Sequence, residues 1–467
     1  MLLIATIPQS NGLRAPSLEG VTTVGVDTAT ITAPIPIVTT RPGWRHTFAA
    51  LREHNYRLYL VGQFFANTGG WMNRVAMDWL VLQLTHNVAL VGLTVTLQFA
   101  PALLLGPWAG VLADRLPRRH VLKVTQAVSV VVNGILAALV LTGVVQVWEV
   151  YLAAVVVGVA ITIDGPSRSA FVSEMVGTHR LPQAISMNAS IFHLGGFLGP
   201  AISGVLISAV GSGWSIAICS VTSVVPIVAL FLMRTRELTL PPRKRRESGQ
   251  VLEALRYIRS KPTILWPMVL VAFVAVFGMN LPVLFTASAD HTWNTGSAGY
   301  GLYTSLAAVG AFTGAVLSAR RRSLRLRVII PLIGVYGVVT AFAGSAPWYV
   351  LFLPALVGIG ITRVTFMTAG ESLTQLSTNL AIRGRVMSFW ITVITGGQAL
   401  GGVVMGWIAE GLGAQIAFAV AGLVPAAAGV VVALILARRH QLRIRVDVRN
   451  PRRLVRVVPR GQVIVER

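Results

Sequence analysis

The amino-acid sequence predicts an all-α membrane protein with twelve transmembrane helices in two six-helix pseudo-repeats. Three observations lead to this fold class: the composition, the number of long apolar runs, and the similarity between the two halves of the chain. Of the 467 residues, 54% are hydrophobic and only 12% are charged, whereas soluble globular chains carry about 25% charged residues. Most of the chain is therefore expected to lie in lipid.

Apolar runs define the twelve spans, because a hydrocarbon core of about 30 Å requires roughly 20 apolar residues in an α-helix. Spans 1 to 6 are predicted at 58–83, 88–112, 121–143, 147–169, 187–211 and 214–233. Spans 7 to 12 are predicted at 263–287, 297–319, 328–345, 348–371, 386–410 and 414–437. An even number of spans places both termini on the same side of the membrane.

The charged loops predict which side that is. One set of loops holds Arg52, Arg57, Arg115, Arg118, Arg119, Lys123, Arg168, Arg180, Arg243, Lys244, Arg245, Arg246, Arg320, Arg321, Arg322, Arg383 and Arg385. The loops of the opposite set contain neither lysine nor arginine. Positive loops stay inside the cell, so we expect a multi-pass protein of the inner (plasma) membrane with both termini in the cytoplasm.

Short identities relate the two halves of the chain. The run Val-Gly-Val-Ala-Ile-Thr at 157–162 recurs as Val-Gly-Ile-Gly-Ile-Thr at 357–362, and Trp148 matches Trp348. Two parallel repeats are typical of transporters whose binding site lies at the midplane, where the halves meet.

These patterns divide the chain into five segments. We expect a disordered cytoplasmic tail over 1–50, a six-helix bundle over 51–233, and a cytoplasmic linker with a surface helix over 234–262. A second bundle covers 263–437, and a basic cytoplasmic tail covers 438–467. That last tail either binds anionic lipid or is simply a solvated charge run.

Several function classes are excluded or lack support. The net charge of +23 does not indicate a nucleic-acid partner, because the arginines lie at span ends and in the tails, as a membrane topology requires. The one cysteine, Cys219, and the lack of a Cys/His cluster indicate no metal site. The sequence contains no phosphate loop and no common hydrolase motif. We therefore expect no enzyme activity, no catalytic residues and no cofactor.

The loop between spans 2 and 3 reads Gly-Val-Leu-Ala-Asp-Arg-Leu-Pro-Arg-Arg over 110–119. It resembles the signature loop of the major facilitator superfamily, with Pro117 in place of the usual glycine. The resemblance implies the fold of that superfamily and a conformational latch that binds across the half-interface when the cytoplasmic side is shut. The alternative is a basic loop that only sets topology. The latch residues are Gly110, Asp114, Arg115, Arg118 and Arg119.

Span 5 carries a second motif, which resembles the Gly-Pro motif of drug exporters in the superfamily. The resemblance implies a seal between spans of the first half, whereas the alternative is ordinary close packing of small residues. Its residues are Gly195, Gly199, Pro200 and Gly204.

Residues 55–233 also resemble a bacterial group related to enterobactin exporters and to multidrug or macrolide efflux proteins, through the runs at 67–80 and 164–174. Two departures weaken a standard proton-coupling scheme. Gly195-Gly196 replaces the arginine that often precedes the Gly-Pro motif, and span 4 lacks the arginine that many antiporters carry.

Charged residues inside spans are the main functional candidates, because they are rare and face cavities or each other. Arg74 and Asp78 lie four residues apart on one face of span 1, and form either a proton-coupling pair or a permanent ion pair. Arg363, deep in span 10, either pairs across the bundle or binds an anionic substrate group, and Glu371 follows it toward the cytoplasm.

Two further groups complete the candidate site. Asp164, Arg168 and Glu174 at the end of span 4 are expected to form contacts of a cytoplasmic gate rather than random surface charge. Amides within spans tend to face the bundle interior, and aromatic residues beside them suit an amphipathic substrate. The cavity candidates are Asn67, Trp71, Gln98, Asn188, Phe277, Asn280 and Gln398.

The sequence thus predicts a monomeric secondary transporter that exports small amphipathic molecules (a drug, macrolide or siderophore-like compound) by alternating access. Protons are the expected coupling ion. Two alternatives stay open: an importer or uniporter of the same fold, and a non-transporting membrane scaffold that uses its basic tails.

Overall fold

In the computed structural model, the residues that the structure describes are 35–36, 49–234, 250–319, 323–324, 326–379, 382–439, 442–446 and 455–459. Nearly all of them are helical. Two short antiparallel strand pairs lie outside the spans: Ile35–Pro36 pairs with Ser323–Leu324, and Leu442–Val446 pairs with Val455–Pro459.

The first half begins with a 3-10 turn at Ala49–Arg52. Its spans are formed by the helices His54–Thr85, Val88–Arg115, Arg118–Leu141, Val147–Val210, Ser212–Thr222 and Val224–Leu232. The helix Val147–Val210 holds both spans 4 and 5, which are separated only by a kink at Gly177, where φ is 65°. The residues between the two predicted spans, 170–186, are therefore helical apart from Gly177. One glycine in the left-handed region, which other residues rarely adopt, makes the break.

The second half begins with the linker helix, Gln250–Ser260. Span 7 is composed of Pro262–Phe273, Leu281–Ala287 and the π-helical turns Val274–Gly278 and Ser288–Thr292. Spans 8, 9 and 10 are Gly296–Ala319, Leu326–Ser345 and Tyr349–Leu376, and Arg383–Arg439 holds spans 11 and 12 on either side of Gly413, where φ is 86°.

Twelve membrane crossings follow from these helices. Ten segments of the described chain are long and apolar enough to cross a membrane. The last of them, Arg383–Arg438, contains the Gly413 break and so holds two spans. Span 1 is the remaining helix, and it carries the charged residues Arg57, Arg74 and Asp78. The predicted all-α, twelve-helix fold class is confirmed.

The two halves repeat the same close helix packing. A Cβ added to Gly158 would lie 2.6 Å from the carbonyl oxygen of Gln98, so spans 4 and 2 touch there through their backbones. A Cβ added to Gly360 would lie 2.0 Å from the carbonyl oxygen of Ala307, which joins spans 10 and 8 in the same way. Small residues permit such close approach in membranes, and the shared pattern matches the predicted pseudo-repeat.

The halves meet where span 2 packs on span 11 and span 5 packs on span 8. We call the membrane face with the arginine-rich loops the basic face, and the other one the opposite face. Toward the opposite face, the Thr96 hydroxyl donates to the Ala399 carbonyl (2.6 Å), and the Val88 N–H donates to the Glu410 carboxylate (2.7 Å). Between spans 8 and 5, the Ser305 hydroxyl donates to the Phe197 carbonyl (3.0 Å).

Toward the basic face, three of these four spans carry large exposed apolar side chains. Trp108, Ile185 and Ile391 are 72%, 58% and 59% exposed. Within the described chain, the hydrogen bonds between spans of different halves all lie toward the opposite face. These contacts close the bundle at the opposite face, and the described residues form no such bond between the halves toward the basic face.

The linker helix packs on the second half. Ala254 and Ile258 are buried, and the Tyr257 hydroxyl accepts hydrogen bonds from the Lys261 ammonium (2.7 Å) and the Asn379 N–H (3.2 Å). Glu253 pairs with Arg385 at 2.6 Å. Apolar and polar contacts together hold this helix against the loop between spans 10 and 11.

Candidate functional site

Asp78 lies at the interface between the halves, near the opposite face. It is 2% exposed, and its Oδ2 accepts a hydrogen bond from the Tyr300 hydroxyl of span 8 at 2.9 Å. Tyr300 is fully buried and stacks on Trp79, with 6.2 Å between ring centroids. Oδ1 of Asp78 has no hydrogen-bond partner among the described residues, and Gln98 lies beside the carboxylate.

Arg74 and Asp78 lie close enough to interact electrostatically, but they are not in direct contact, and both sequence-based interpretations of the pair stay predictions. Within the described chain no ion pair closer than 4.0 Å joins them. The Arg74 guanidinium lies instead over the rings of Trp71, 4.9 Å from the centroid, and Phe99, at 5.3 Å. Cation–π contacts of this kind stabilise a desolvated cation by about 2 kcal/mol. The direct hydrogen bond to the Asp78 carboxylate comes from Tyr300 instead.

Tyr300 was not predicted as a site residue. Span 8 begins at Gly296, so Tyr300 sits in its first turns, where tyrosines commonly anchor helices at the membrane interface. Nothing in the local sequence distinguishes an interfacial tyrosine from one that turns inward to a carboxylate on another helix.

Arg363 lies in the middle of span 10, without a carboxylate partner. Its electrostatic neighbours are His193 of span 5 and Tyr336 of span 9. Among the described residues it makes no hydrogen bond or ion pair. Glu371 accepts a hydrogen bond from Gln375 at 3.0 Å, so the structure does not bring Arg363 and Glu371 together.

Aromatic side chains extend from Arg74 toward the centre of the bundle. Trp71 contacts Phe192 edge to face, with 5.7 Å between centroids, and Phe192 contacts His193 at 5.8 Å. Gly196 lies beside the Trp71 ring, because a Cβ there would be 3.4 Å from the indole, an ordinary contact distance. These contacts lie within the first half, and the charge of Arg363 in the second half acts on His193 at their end.

The span-5 motif packs on two partners. Cβ atoms added to Gly195 and Gly199 would lie 3.0 Å and 2.7 Å from atoms of span 1, the first-half contact that the resemblance implies. A Cβ added to Gly204 would lie 2.9 Å from the Gly301 Cα of span 8, and the Pro200 carbonyl faces Gly301 as well. The motif therefore packs against the second half in addition to the first.

The predicted latch residues are described only in part. Gly110, Asp114 and Arg115 lie at the end of span 2, with their side chains outside the described structure. Arg118 pairs with Glu174 of span 4 at 2.6 Å. Arg119 donates to the carbonyl oxygens of Leu230, Phe231 and Met233 at the end of span 6. The described contacts of these two arginines lie within the first half, and latching across the interface stays a prediction.

Two of the three predicted gate residues, Asp164 and Arg168, form a polar cluster near the basic face. Asp164 is 4% exposed and pairs with Arg168. It also accepts hydrogen bonds from Thr125 (3.0 Å) and Gln126 (3.4 Å). Arg168 in turn donates to Gln63 of span 1 at 2.5 Å. The cluster ties spans 1, 3 and 4 together, so its described contacts also belong to the first half.

The seven cavity candidates occupy different environments. Asn280 is 1% exposed and donates to the Ala275 and Val276 carbonyls, which places it in the packing of span 7. Gln398 donates to the Met279 sulfur at 3.8 Å. Asn188 accepts from the Tyr56 hydroxyl at 3.4 Å, and Phe277 packs on the main core. The remaining three line span contacts near Gly195, Gly196 and Asp78: Asn67, Trp71 and Gln98.

We expect Arg119→Ala to lower thermal stability, because three carbonyl groups at the end of span 6 would lose a charged donor. Hydrogen bonds to charged groups contribute about 1.5–3 kcal/mol each, so the melting temperature of the purified protein should fall by several degrees. Arg57→Ala is the matched control, since Arg57 is exposed. Equal melting temperatures for the two variants would contradict the capping role.

No group of three or more His, Cys, Asp or Glu residues that could hold a metal ion occurs in the part of the chain that the structure describes.

Similar proteins were found by family, sequence and structure. The model of the family described as "Transmembrane secretion effector" matches residues 45–458. The enterobactin exporter EntS of Citrobacter koseri is 25% identical over 390 residues, covering 80% of this chain and 89% of that protein. The staphyloferrin A transporter of Staphylococcus aureus is 26% identical over 153 residues, covering 32% and 38%.

Among solved structures, the fold resembles a bacterial homologue of the human lysosomal transporter Spinster in an inward-facing and unoccupied conformation. The TM-score is 0.59 at 17% identity, with 82% of this chain and 96% of that chain covered. Such a likeness concerns the fold alone. The family match covers most of the chain, including both helical bundles, and therefore the protein belongs to the transmembrane secretion effector family of major facilitator transporters.

Proposed function

We propose that this transporter exports small amphipathic molecules, such as a drug, macrolide or siderophore-like compound, by alternating access coupled to proton antiport. The observation that carries the proposal is the Asp78 carboxylate, which is buried at the interface of the two halves and bound to Tyr300 on the other half. A protonatable group in that position senses both the proton and the state of the interface.

The proposed direction rests on the relatives and on the charge pattern. A relative that covers 80% of the chain is an enterobactin exporter, and a partial relative is a staphyloferrin A transporter. Because positive loops stay in the cytoplasm, we assign the basic face to the inside of the cell and the opposite face to the outside. The structure then corresponds to a state that is open inward and ready to receive a substrate from the cytoplasm.

Asp78 suits proton coupling because its burial depends on the closure of the outer side. An ionised carboxylate inside the membrane is costly, and Arg74, which acts on Asp78 without a close ion pair, offsets only part of that cost. A neutral carboxyl group costs much less. Uptake of a proton from outside therefore favours closure of the outer side over Asp78. Loss of that proton to the cytoplasm leaves a buried charge, which favours reopening.

One chain contains both halves and the complete interface between them, so we propose that the monomer is the working unit. The coupled cycle then needs two events on one molecule. The substrate enters from the basic face while Asp78 releases its proton. At the opposite face the substrate leaves and Asp78 takes up a new proton. The contacts between the halves change during this cycle, and they are carried by spans 2, 5, 8 and 11.

The test uses everted membrane vesicles from cells that lack their own pumps, with a panel of fluorescent cationic, neutral and anionic amphipathic probes. We expect uptake of at least one probe when the vesicle lumen is acidic, and no accumulation when a protonophore removes the gradient. Accumulation that persists with the protonophore would contradict proton antiport. Uptake only in right-side-out vesicles would instead identify an importer.

Deletion of residues 438–467 separates transport from a scaffold role. The described interface lies entirely in the spans, so we expect the shortened protein to keep most of its transport activity in the same vesicle assay. A complete loss of activity at a normal protein level would favour a scaffold that acts through its basic tail.

A further inference from the structure

We propose that the centre of the protein contains an anion-binding site formed by Arg363 and His193, next to an aromatic wall of Trp71 and Phe192. The ligand is an amphipathic anion: its acidic group binds Arg363 and its planar or apolar body lies against the two rings. This inference rests on the proposed transport function only in so far as the substrate passes between the two halves.

The position of Arg363 is the first argument. It lies midway along span 10, Tyr349–Leu376, and its neighbour His193 lies midway along span 5 of the other half. A ligand between these two side chains would touch both halves at the depth where transporters of this architecture bind substrates. The site would be formed, and dismantled, by movement of the halves.

The second argument is that Arg363 lacks a counter-charge. The intramembrane carboxylates of the described chain have other partners: Asp78 binds Tyr300, Asp164 binds Arg168, Glu174 binds Arg118 and Glu371 binds Gln375. A guanidinium within the membrane and without a partner is costly. An incoming carboxylate would supply the missing charge, and the planar fork of arginine matches it with two parallel hydrogen bonds.

The aromatic wall provides the apolar part of the site. Phe192 is 47% exposed, contacts Trp71 and directly precedes His193 in the chain. On the other side of Trp71 lies Arg74, 4.9 Å from the ring centroid. Both arginines, Arg74 and Arg363, carry a positive charge near these rings, and among the described residues only Arg74 has a carboxylate within electrostatic reach. Electrostatics therefore favour an anion over a cationic amphiphile as the ligand.

The experiment measures binding by the purified full-length protein, without a gradient. Dansylglycine carries a carboxylate, and dansylglycinamide has the same fluorescent body without the charge. We expect the wild type to bind dansylglycine about tenfold more tightly than the amide, because a hydrogen bond between charged groups contributes about that much affinity. Arg363→Gln should abolish this preference and leave the affinity for the amide unchanged, whereas Arg57→Gln, at an exposed position, should keep it.

Two outcomes would overturn the site: a wild type without preference for the anion, including one that binds neither probe, and an Arg363→Gln variant with the full preference. Should Arg363→Gln fail to fold, Arg363→Lys replaces it. The forked donor is lost there, so the preference should shrink, and an unchanged preference counts against the site. Binding is measured without a proton gradient and so does not depend on export. A protein that binds the anion but does not export would therefore contradict the proposed function and leave the anion site supported.

Discussion

Asp78→Asn should lower proton-driven accumulation of substrate by roughly tenfold or more, while exchange of substrate across the membrane continues. Asparagine keeps an oxygen that can accept the hydrogen bond from Tyr300, and it has no proton to release. The variant therefore resembles the protein with Asp78 permanently neutral. Without the proton-carrying group, the proton gradient no longer drives transport, but the route of the substrate through the protein is intact. Net uptake should therefore fall while exchange continues.

The measurement compares two assays in the same everted vesicles. One follows probe accumulation driven by an acidic lumen, and the other follows exchange of labelled for unlabelled probe at equal concentrations without a gradient. Asp290→Asn is the matched control, because the Asp290 side chain is 37% exposed near the opposite face and should leave both assays unchanged. If Asp78→Asn accumulates probe as the wild type does, Asp78 is only a structural partner of Tyr300.

Tyr300→Phe provides an intermediate case. It removes the hydroxyl that donates to Asp78 and leaves the ring that stacks on Trp79. Because the carboxylate then loses its hydrogen bond in the closed outer interface, we expect a slower but still proton-driven transport, reduced by about threefold to tenfold. An effect as large as that of Asp78→Asn, with exchange also lost, would indicate that Tyr300 supports the fold of the interface instead.

Gly92→Val should block the closure of the outer side and stop transport almost completely. A Cβ at Gly92 would lie 2.2 Å from the carbonyl oxygen of Gly402 and 2.9 Å from the Cα of Gly406, both on span 11. Backbone atoms cannot move aside as a flexible side chain can, so spans 2 and 11 are forced apart at this point. In an alternating cycle the clash exists only in the state closed to the outside, so the protein still folds.

The expected trapped state is detected with a single cysteine. In a Cys219→Ala background, Ser297→Cys places a thiol at a position that is 7% exposed beside Gly204 in the closed outer interface. A membrane-impermeant maleimide added from outside should label it slowly in the parent protein and several times faster with Gly92→Val.

Gly106→Val is the matched control for this substitution. It lies on the same span toward the basic face, where an added Cβ meets no described atom within 4 Å. This variant should transport probe and be labelled like the parent. Transport by Gly92→Val at the wild-type rate would contradict the role of this contact in the cycle.

The predictions that the structure confirms concern the fold, and they depend on local sequence. A helix in lipid must satisfy its own backbone hydrogen bonds, so twenty apolar residues in a row specify a span almost independently of the rest of the chain. The exception is the connection between spans 4 and 5. There Gly177 alone makes the break, and residues 170–186, which lie between the two predicted spans, are helical on either side of it.

The candidate site was predicted by residue type and not by pairing. Buried charges at Arg74, Asp78 and Arg363 stand out in any apolar sequence, since each is costly in lipid. Their separation of four residues suggested that Arg74 and Asp78 bind each other. In the structure Arg74 prefers two aromatic rings, a possibility that helical spacing alone does not reveal because Phe99 comes from another span.

By itself, therefore, the sequence determined the membrane class, the number of spans, the expected sidedness and the identity of the unusual charges, since each of these depends on composition and order along the chain. Only the tertiary structure decided the partners. Tyr300 binds Asp78 across 222 positions of sequence, and His193 comes within electrostatic reach of Arg363 from the other half. The physical reason is that contacts between helices depend on how whole helices pack, and backbone approaches such as Gly92 on Gly402 set that packing.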